Sequence, residues 1–344
     1  MKLKALAATA LVAILAWYSM PARAQIVGNA NSDRAPQTVA EFEALKEQVS
    51  NWGRWGDDDE LGLLNLVTNE KRKAAAALVE TGVAVSLAHT LITEKAADTP
   101  NEPGGGLGPF LMEGNGGKFT ISFHSTTHSH IDAVCQFDYK GLLYNGYKIS
   151  EVKGPNGCEV SDINMNKSGF TTRGILMDIP RLRGVPYLDP GTPVYPEDFD
   201  AWEKEAGFKV EEGDAIFLRT GRWQRRREVG PWNLIPPNPQ AGEAGYHVSV
   251  IPWLAERGVS IIGADMSNDV RPTGAHPDVL QYTRGMPVHS LFIVDMGGYV
   301  IDAMDFEELS KVAAEHNRWH FMVTGAPTAA KGGTGSLLNL TAIF

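Results

Sequence analysis

The sequence predicts a mixed α/β protein that is neither a plain doubly wound sheet nor an eightfold barrel. Short strand-like and helix-like segments alternate, but hairpins interrupt them, so the regular βαβ order of those two folds is missing. No internal repeat is visible along the chain. A hydrophobic content of 43% with eight tryptophans is that of a packed globular protein.

The chain opens with an export signal. Lys2 and Lys4 precede an apolar run to Met20, and Pro21-Ala22-Arg23-Ala24 supplies a small-x-small cleavage pattern, so cleavage is expected after Ala24. The expected location is the bacterial periplasm or the medium. Residues 25–344 then form a single domain, with 25–82 as a helical extension packed on it. Cleavage deletes three positive charges and no acidic ones, turning the formal charge of −10 into −13. Such acidity argues against nucleic acid or an anionic membrane as partner.

Thr38 and Glu41 form a capping pattern for a helix to about Val49, and 69–81 reads as a second amphipathic helix. Between them lies a turn-rich linker with two tryptophans. Its acidic run, Asp57 to Glu60, is either a cation site or a solvated helix start. A strand is predicted over 83–92, and a glycine-rich loop over 99–117 that either gates a site or is inert. A short strand over 119–123 follows. Further on, strands are expected over 172–178, 215–219, 259–264, 289–295, 299–301, 319–324 and 337–343. Helices are expected over 196–207, 248–257 and from Asp305 to about His316.

Chemistry concentrates in F-H-S-T-T-H-S-H-I-D-A-V-C-Q-F, residues 123–137. His124, His128 and His130 fall within seven residues, and Asp132 follows. Alternate side chains of a strand share a face, so His128, His130 and Asp132 are expected to converge. Two imidazoles and a carboxylate suit a divalent transition metal, and a metal-activated water makes hydrolysis the first reaction class to consider. Cys135 and Cys158 either pair or remain buried thiols. G-G-T-G-S at 332–336 lacks the G-K-[ST] ending of a phosphate loop.

The segment resembles the metal motif H-x-G-T-H-x-D-x-P-x-H of the cyclase-like hydrolases, the family of bacterial kynurenine formamidase and isatin hydrolase. His130-Ile131-Asp132 matches its central H-x-D. The likeness continues through W-G-D-D-D-E-L-G-L-L-N (55–65), Y-N-G (144–146), T-R-G-I-L-M-D (172–178), P-G-T (190–192) and L-R-T-G (218–221). It extends through A-G-Y-H (244–247), G-A-D (263–265), P-V-H (287–289) and 332–336, as in the longer members.

The resemblance implies a swivelling β/β/α fold with a β-rich core and outer helices, commonly a homodimer. It implies hydrolysis of a non-peptide C–N bond in a small amide, N-formyl amine or cyclic amide, with lactone hydrolysis as the alternative. Mn²⁺ or Zn²⁺ would be held by His130, Asp132 and one or both of His124 and His128. His289 and Asp302 fall where the family completes its site. His247, Asp265, Tyr144 and Asn145 are candidates for substrate contacts or outer support. Two departures stand out. Thr126 occupies the first histidine's place, and Gln136 the last one's. Glutamine can orient a substrate but cannot exchange a proton, so a metal-loaded but catalytically impaired binding protein is the competing expectation.

Overall fold

The computed structural model describes residues 32–234 and 241–344, so the export signal lies outside the described residues. Nine strands form one mixed sheet: β1 (Ala84–Ser86), β2 (His130–Asp132), β3 (Phe170–Asp178), β4 (Ala215–Arg219), β5 (Ile261–Ala264), β6 (Tyr299–Asp302), β7 (His320–Gly325), β8 (Gly335–Leu337) and β9 (Thr341–Ile343). Their order is β1-β9-β7-β3-β4-β5-β6-β2-β8. The central β3, β4, β5 and β6 run parallel, and antiparallel strands flank them on both sides.

Burial explains the centre. All five residues of β4 and all four of β5 are buried, as a strand covered on both faces requires. Helix Pro196–Ala206 packs outside through Phe199 and Trp202, and the Trp202 indole donates to the Leu176 carbonyl. The β-rich core with outer helices is therefore as expected. The expected helices over 38–49 and 196–207 form as Val39–Val49 and Pro196–Ala206, and Thr38 caps the first by accepting from the Glu41 amide.

Several expectations need correction. Residues 289–295 are helical: a short helix Pro287–His289 runs into a π-helix, Ser290–Asp295. A short apolar run looks the same whether it is a buried strand or a buried helix; here Pro287 at the start and Asp269, which accepts from the Val288 and His289 amides, fix the helix. The expected strand 83–92 keeps pairing only over Ala84–Ser86, and the helix over 69–81 ends at Ala76. Residues 99–117 are not wholly irregular, because Leu111–Glu113 pairs with Lys118–Thr120 around a turn where Asn115 and Gly116 take positive φ. The expected strand 337–343 is two, β8 beside β2 and β9 between β1 and β7. Helix Arg222–Val229, too polar to show a hydrophobic period, went unpredicted.

Cys135 and Cys158 form a disulfide, which resolves the alternatives in favour of pairing. It joins the turn after β2 to a small hairpin, Lys153–Gly154 with Gly157–Cys158.

Candidate metal centre

The centre is built where β2 is held between β6 and β8. Register places Asp302 and Leu337 opposite His130, and Val300 and Gly335 opposite Asp132. His124 reaches the same point from the bend before β2. Gly335 makes this possible, since a Cβ there would lie 2.7 Å from His124 Cε1.

His124 Nδ1 lies 2.8 Å from Asp132 Oδ1, and His130 Nε2 lies 3.5 Å from the same oxygen. One ligating atom from each of the three residues falls within 4.8 Å of the others. His130 and Asp132 are buried, whereas the His124 side chain is 28% exposed, so the cluster opens on that side.

The donor set fits a divalent metal on three counts. His124 Nδ1 and Asp132 Oδ1 are buried and, despite their approach, make no hydrogen bond of acceptable geometry. Each imidazole has its other nitrogen tied: His124 Nε2 to Thr334 Oγ1 at 2.8 Å, and His130 Nδ1 to the His128 carbonyl at 2.8 Å. Such outer bonds orient imidazoles for coordination, leaving one lone pair of each facing the carboxylate. Two imidazoles and a carboxylate also match the preferences of zinc, manganese and iron.

A second group adjoins the first. Asp302 Oδ2 stands 3.9 Å from His130 Nε2 and 3.2 Å from His289 Nε2. Its other oxygen accepts from the Asn268 amide and side chain at 3.1 and 2.6 Å. His289 Nδ1 lies 2.5 Å from Asp269 Oδ2. Burial opposes charge on both members of the Asp302–His289 pair, but their mutual attraction wins. His289, also beside Asp269, is held well above its ordinary pKa and Asp302 below its own.

The structure thus brings His124, His130 and Asp132 together and places Asp302 and His289 beside them. His128 is a correction. The strand begins only at His130, so the alternation that would align His128 does not reach it. Its Nε2 instead faces the Gly108 carbonyl at 3.2 Å, and burial lowers its pKa to about 4, leaving it neutral.

Gln136 lies in the turn after β2, where its backbone carbonyl accepts from Arg284 and its side chain makes no hydrogen bond to the described residues. Tyr144 and Asn145 belong to the scaffold. Tyr144 donates to Asp59, and the Asn145 amide spans the carbonyls of Gly56, Asp57 and Asp59. The acidic run is accordingly an anchor: Asp59 also takes the Leu61 and Gly62 amides and Asn65. His247 caps a 3₁₀ turn through the Ser249 amide. Asp265 accepts from the amides of Thr220, Gly221 and Arg222 and from the Thr220 hydroxyl, fixing the start of helix Arg222–Val229. Two histidines outside the cluster pack against aromatic rings: His89 stacks on Trp223 and His316 on Phe344.

Asp269, Asn268 and Thr334 were missed from sequence. The signal for the first two was a run of polar residues, 267–269, just beyond the buried strand β5. Thr334 lies in the glycine-rich run 332–336, where no metal-ligand pattern surrounds it.

The family model "Putative cyclase" matches residues 85–269. No curated protein matches. Among solved structures, the crystal structure of a novel cyclase is similar over 87% of this chain and 99% of its own, at 25% identity and a TM-score of 0.71. Isatin hydrolase A from Labrenzia aggregata, bound to benzyl benzoate, is similar over 78% of this chain and 94% of its own, at 21% identity and a TM-score of 0.51. Isatin hydrolase A from Ralstonia solanacearum covers 80% of this chain and 97% of its own, at 17% identity and a TM-score of 0.50. The likeness to the two isatin hydrolases is one of fold.

Proposed function

The chain belongs to the cyclase family, whose model matches more than half of it, and on that premise we propose that it is a metal-dependent hydrolase of a non-peptide C–N bond. Its substrate would be a small amide, N-formyl amine or cyclic amide. The observation that carries this reading is the open cluster of His124, His130 and Asp132 with the Asp302–His289–Asp269 chain beside it.

His124, His130 and Asp132 would hold the ion, Mn²⁺ or Zn²⁺. When bound, such a metal supplies an acidified water and polarises the substrate carbonyl. The protein's own residues manage the protons. His289, kept protonated between two carboxylates, gives up its Nε2 proton to the departing nitrogen. Asp302 Oδ2, 3.2 Å from His289 Nε2, is placed to take the proton lost by the attacking water and pass it to His289, which restores the imidazolium. Asp269 accepts from Nδ1 and from the His289 amide, so the ring cannot turn away. Gln136 therefore does not deprive the site of acid–base chemistry, which favours a hydrolase over a catalytically impaired binding protein. The shared fold with isatin hydrolase A also supports hydrolysis.

The test is metal analysis of the purified protein, with turnover measured over N-formyl aromatic amines, isatin-like lactams and lactones. Metal-dependent turnover of an amide class, abolished by chelation, is expected. Failure of every substrate, or stoichiometric metal surviving replacement of both His130 and Asp132 by alanine, would overturn the reading. Export and a homodimer belong to the same proposal. The Cys135–Cys158 disulfide supports an oxidising compartment. Amino-terminal sequencing of a periplasmic fraction and light scattering would test these two points.

A further inference from the structure

Beside the cluster, several buried polar atoms lack hydrogen-bond partners among the described residues: Thr126 Oγ1, Thr127 Oγ1, His128 Nδ1, and Nε and Nη2 of Arg222. Arg222 Nη1 donates to the Thr126 carbonyl, which ties this arginine to the segment between His124 and His130. Buried polar atoms are ordinarily paired, so a group of open ones next to a metal cluster points to a ligand. Ser129 Oγ is also open, but Ser129 lines a separate cleft with His89 and Asn339 and takes no part here.

Arg222 carries the identification. Its side chain is fully buried, and its guanidinium lies 4.4 Å over the Trp223 ring, which fixes its plane. Nε and Nη2 form one edge of that plane, the edge that meets a carboxylate in two parallel bonds. At Arg219 and Arg225 the Nε is also buried and open, whereas at three other arginines this same edge is filled by a carboxylate. Arg173 uses it on Asp214, Arg183 on Asp198 and Arg226 on Asp98.

At Arg222 it is buried and vacant. The nearest carboxylate, Asp98, lies 3.6 Å from Nη2 but is already bound by Arg226 at 2.7 and 3.1 Å. The other acids around Arg222 are also engaged: Asp265 by three amides and a hydroxyl, and Glu243 by Ser267 and Arg271.

We propose that Arg222, with the hydroxyls of Thr126 and Thr127, forms a carboxylate-binding subsite beside the metal cluster. His128 refines the ligand class. With Nε2–H directed at the Gly108 carbonyl, Nδ1 presents a lone pair and accepts a hydrogen bond. A ligand with a carboxylate and a neighbouring N–H satisfies both sides, which describes an amino acid released by opening a cyclic amide. Naming that product rests on the hydrolase reading; the carboxylate subsite itself does not.

The probes are 2-aminobenzoate and its neutral counterpart 2-aminobenzamide, titrated by calorimetry into the full-length protein as purified and after chelation. The acid should bind roughly tenfold or more tightly than the amide in both states. The preference should fall towards unity in Arg222→Met and weaken in Thr127→Val.

Equal binding of the two probes by the chelated wild-type protein, or binding of neither, would overturn the proposal; this arm needs no variant to fold. A preference that disappears on chelation would assign the selection to the metal and overturn it equally. If the preference persists while every substrate in the turnover panel fails, the subsite stands and the hydrolase reading falls.

Discussion

Two polar stretches of this chain fold into opposite conditions. In the linker, Asp59 accepts from two amides, Asn65 and Tyr144; Glu60 takes the Ser161 amide; and Asn145 bridges three carbonyls. From His124 to Asp132, by contrast, the His124 Nδ1, Thr126, Thr127, His128 Nδ1 and Asp132 Oδ1 atoms remain buried and open. Composition does not separate the two, since both are dense in side chains able to bind a cation. Saturation does. A satisfied network stiffens the fold, whereas an unsatisfied one is held ready for a ligand by the structure around it.

The largest expected effect breaks the open side. Replacing His130 and Asp132 together by alanine should remove stoichiometric metal and lower turnover on the order of a thousandfold or more. Thermal unfolding of the chelated protein should change little, because these side chains give few hydrogen bonds to the scaffold. A large loss of stability in the chelated double variant would mean that the cluster is structural. On the satisfied side the opposite pattern is expected. Asp59→Ala strands two amides, Asn65 and the Tyr144 hydroxyl, and should cost about 2–4 kcal/mol in urea unfolding, with metal content unchanged.

Much of this division was legible in the sequence. The spacing His130-x-Asp132 survives because β2 holds both side chains on one face, and the histidine cluster was a correct pointer to the place. His128 misled because two-residue alternation was extended past the first residue of the strand. The centre's other half was harder to read. His289 and Asp302 were located by resemblance, while Asp269 and Thr334 act through contacts 20 and 210 residues away along the chain. Nothing local to either position announces such contacts. Tyr144 and Asn145 matched a motif without revealing that its purpose is to fasten a linker.

A smaller effect sharpens the comparison within the open side. Thr334→Val removes the partner of His124 Nε2 and should weaken metal binding by about 10–100-fold, read by competition with a chromogenic chelator. His128→Asn should leave metal stoichiometry intact, because the imidazole is already committed to Gly108. Loss of metal from the His128 variant, with retention in the Thr334 variant, would exchange the roles given to these residues.

The smallest expected effect concerns an atom that departs from the pattern on the scaffold side. Asp295 Oδ2 is buried without a partner, although Oδ1 meets Lys46 at 2.7 Å. Burial raises the Asp295 pKa from 3.8 to about 6, so the open oxygen carries a proton for part of the pH range. Because the folded protein holds this proton more tightly than the unfolded chain does, its contribution is full below about pH 4. It declines as pH rises towards 6 and is then lost.

Asp265, also raised to about 6 by burial, adds a slope of the same sign. The Asp302–His289 pair is silent in this window. Asp302 loses its contribution only below the ordinary carboxylate range, and His289 only above its ordinary 6.5. His128, lowered to about 4 by burial, adds a slope of the opposite sign over the same window. Asp295→Asn should therefore make the change in urea stability from about pH 4 to 6 more positive by on the order of 1–2 kcal/mol, whatever the sign of the net slope. The slope is the diagnostic quantity, because the variant also loses the pair with Lys46 and so shifts the whole curve. An unchanged slope would mean that Asp295 is ionised throughout, and its open oxygen would then have to be counted with the ligand-ready atoms around His124.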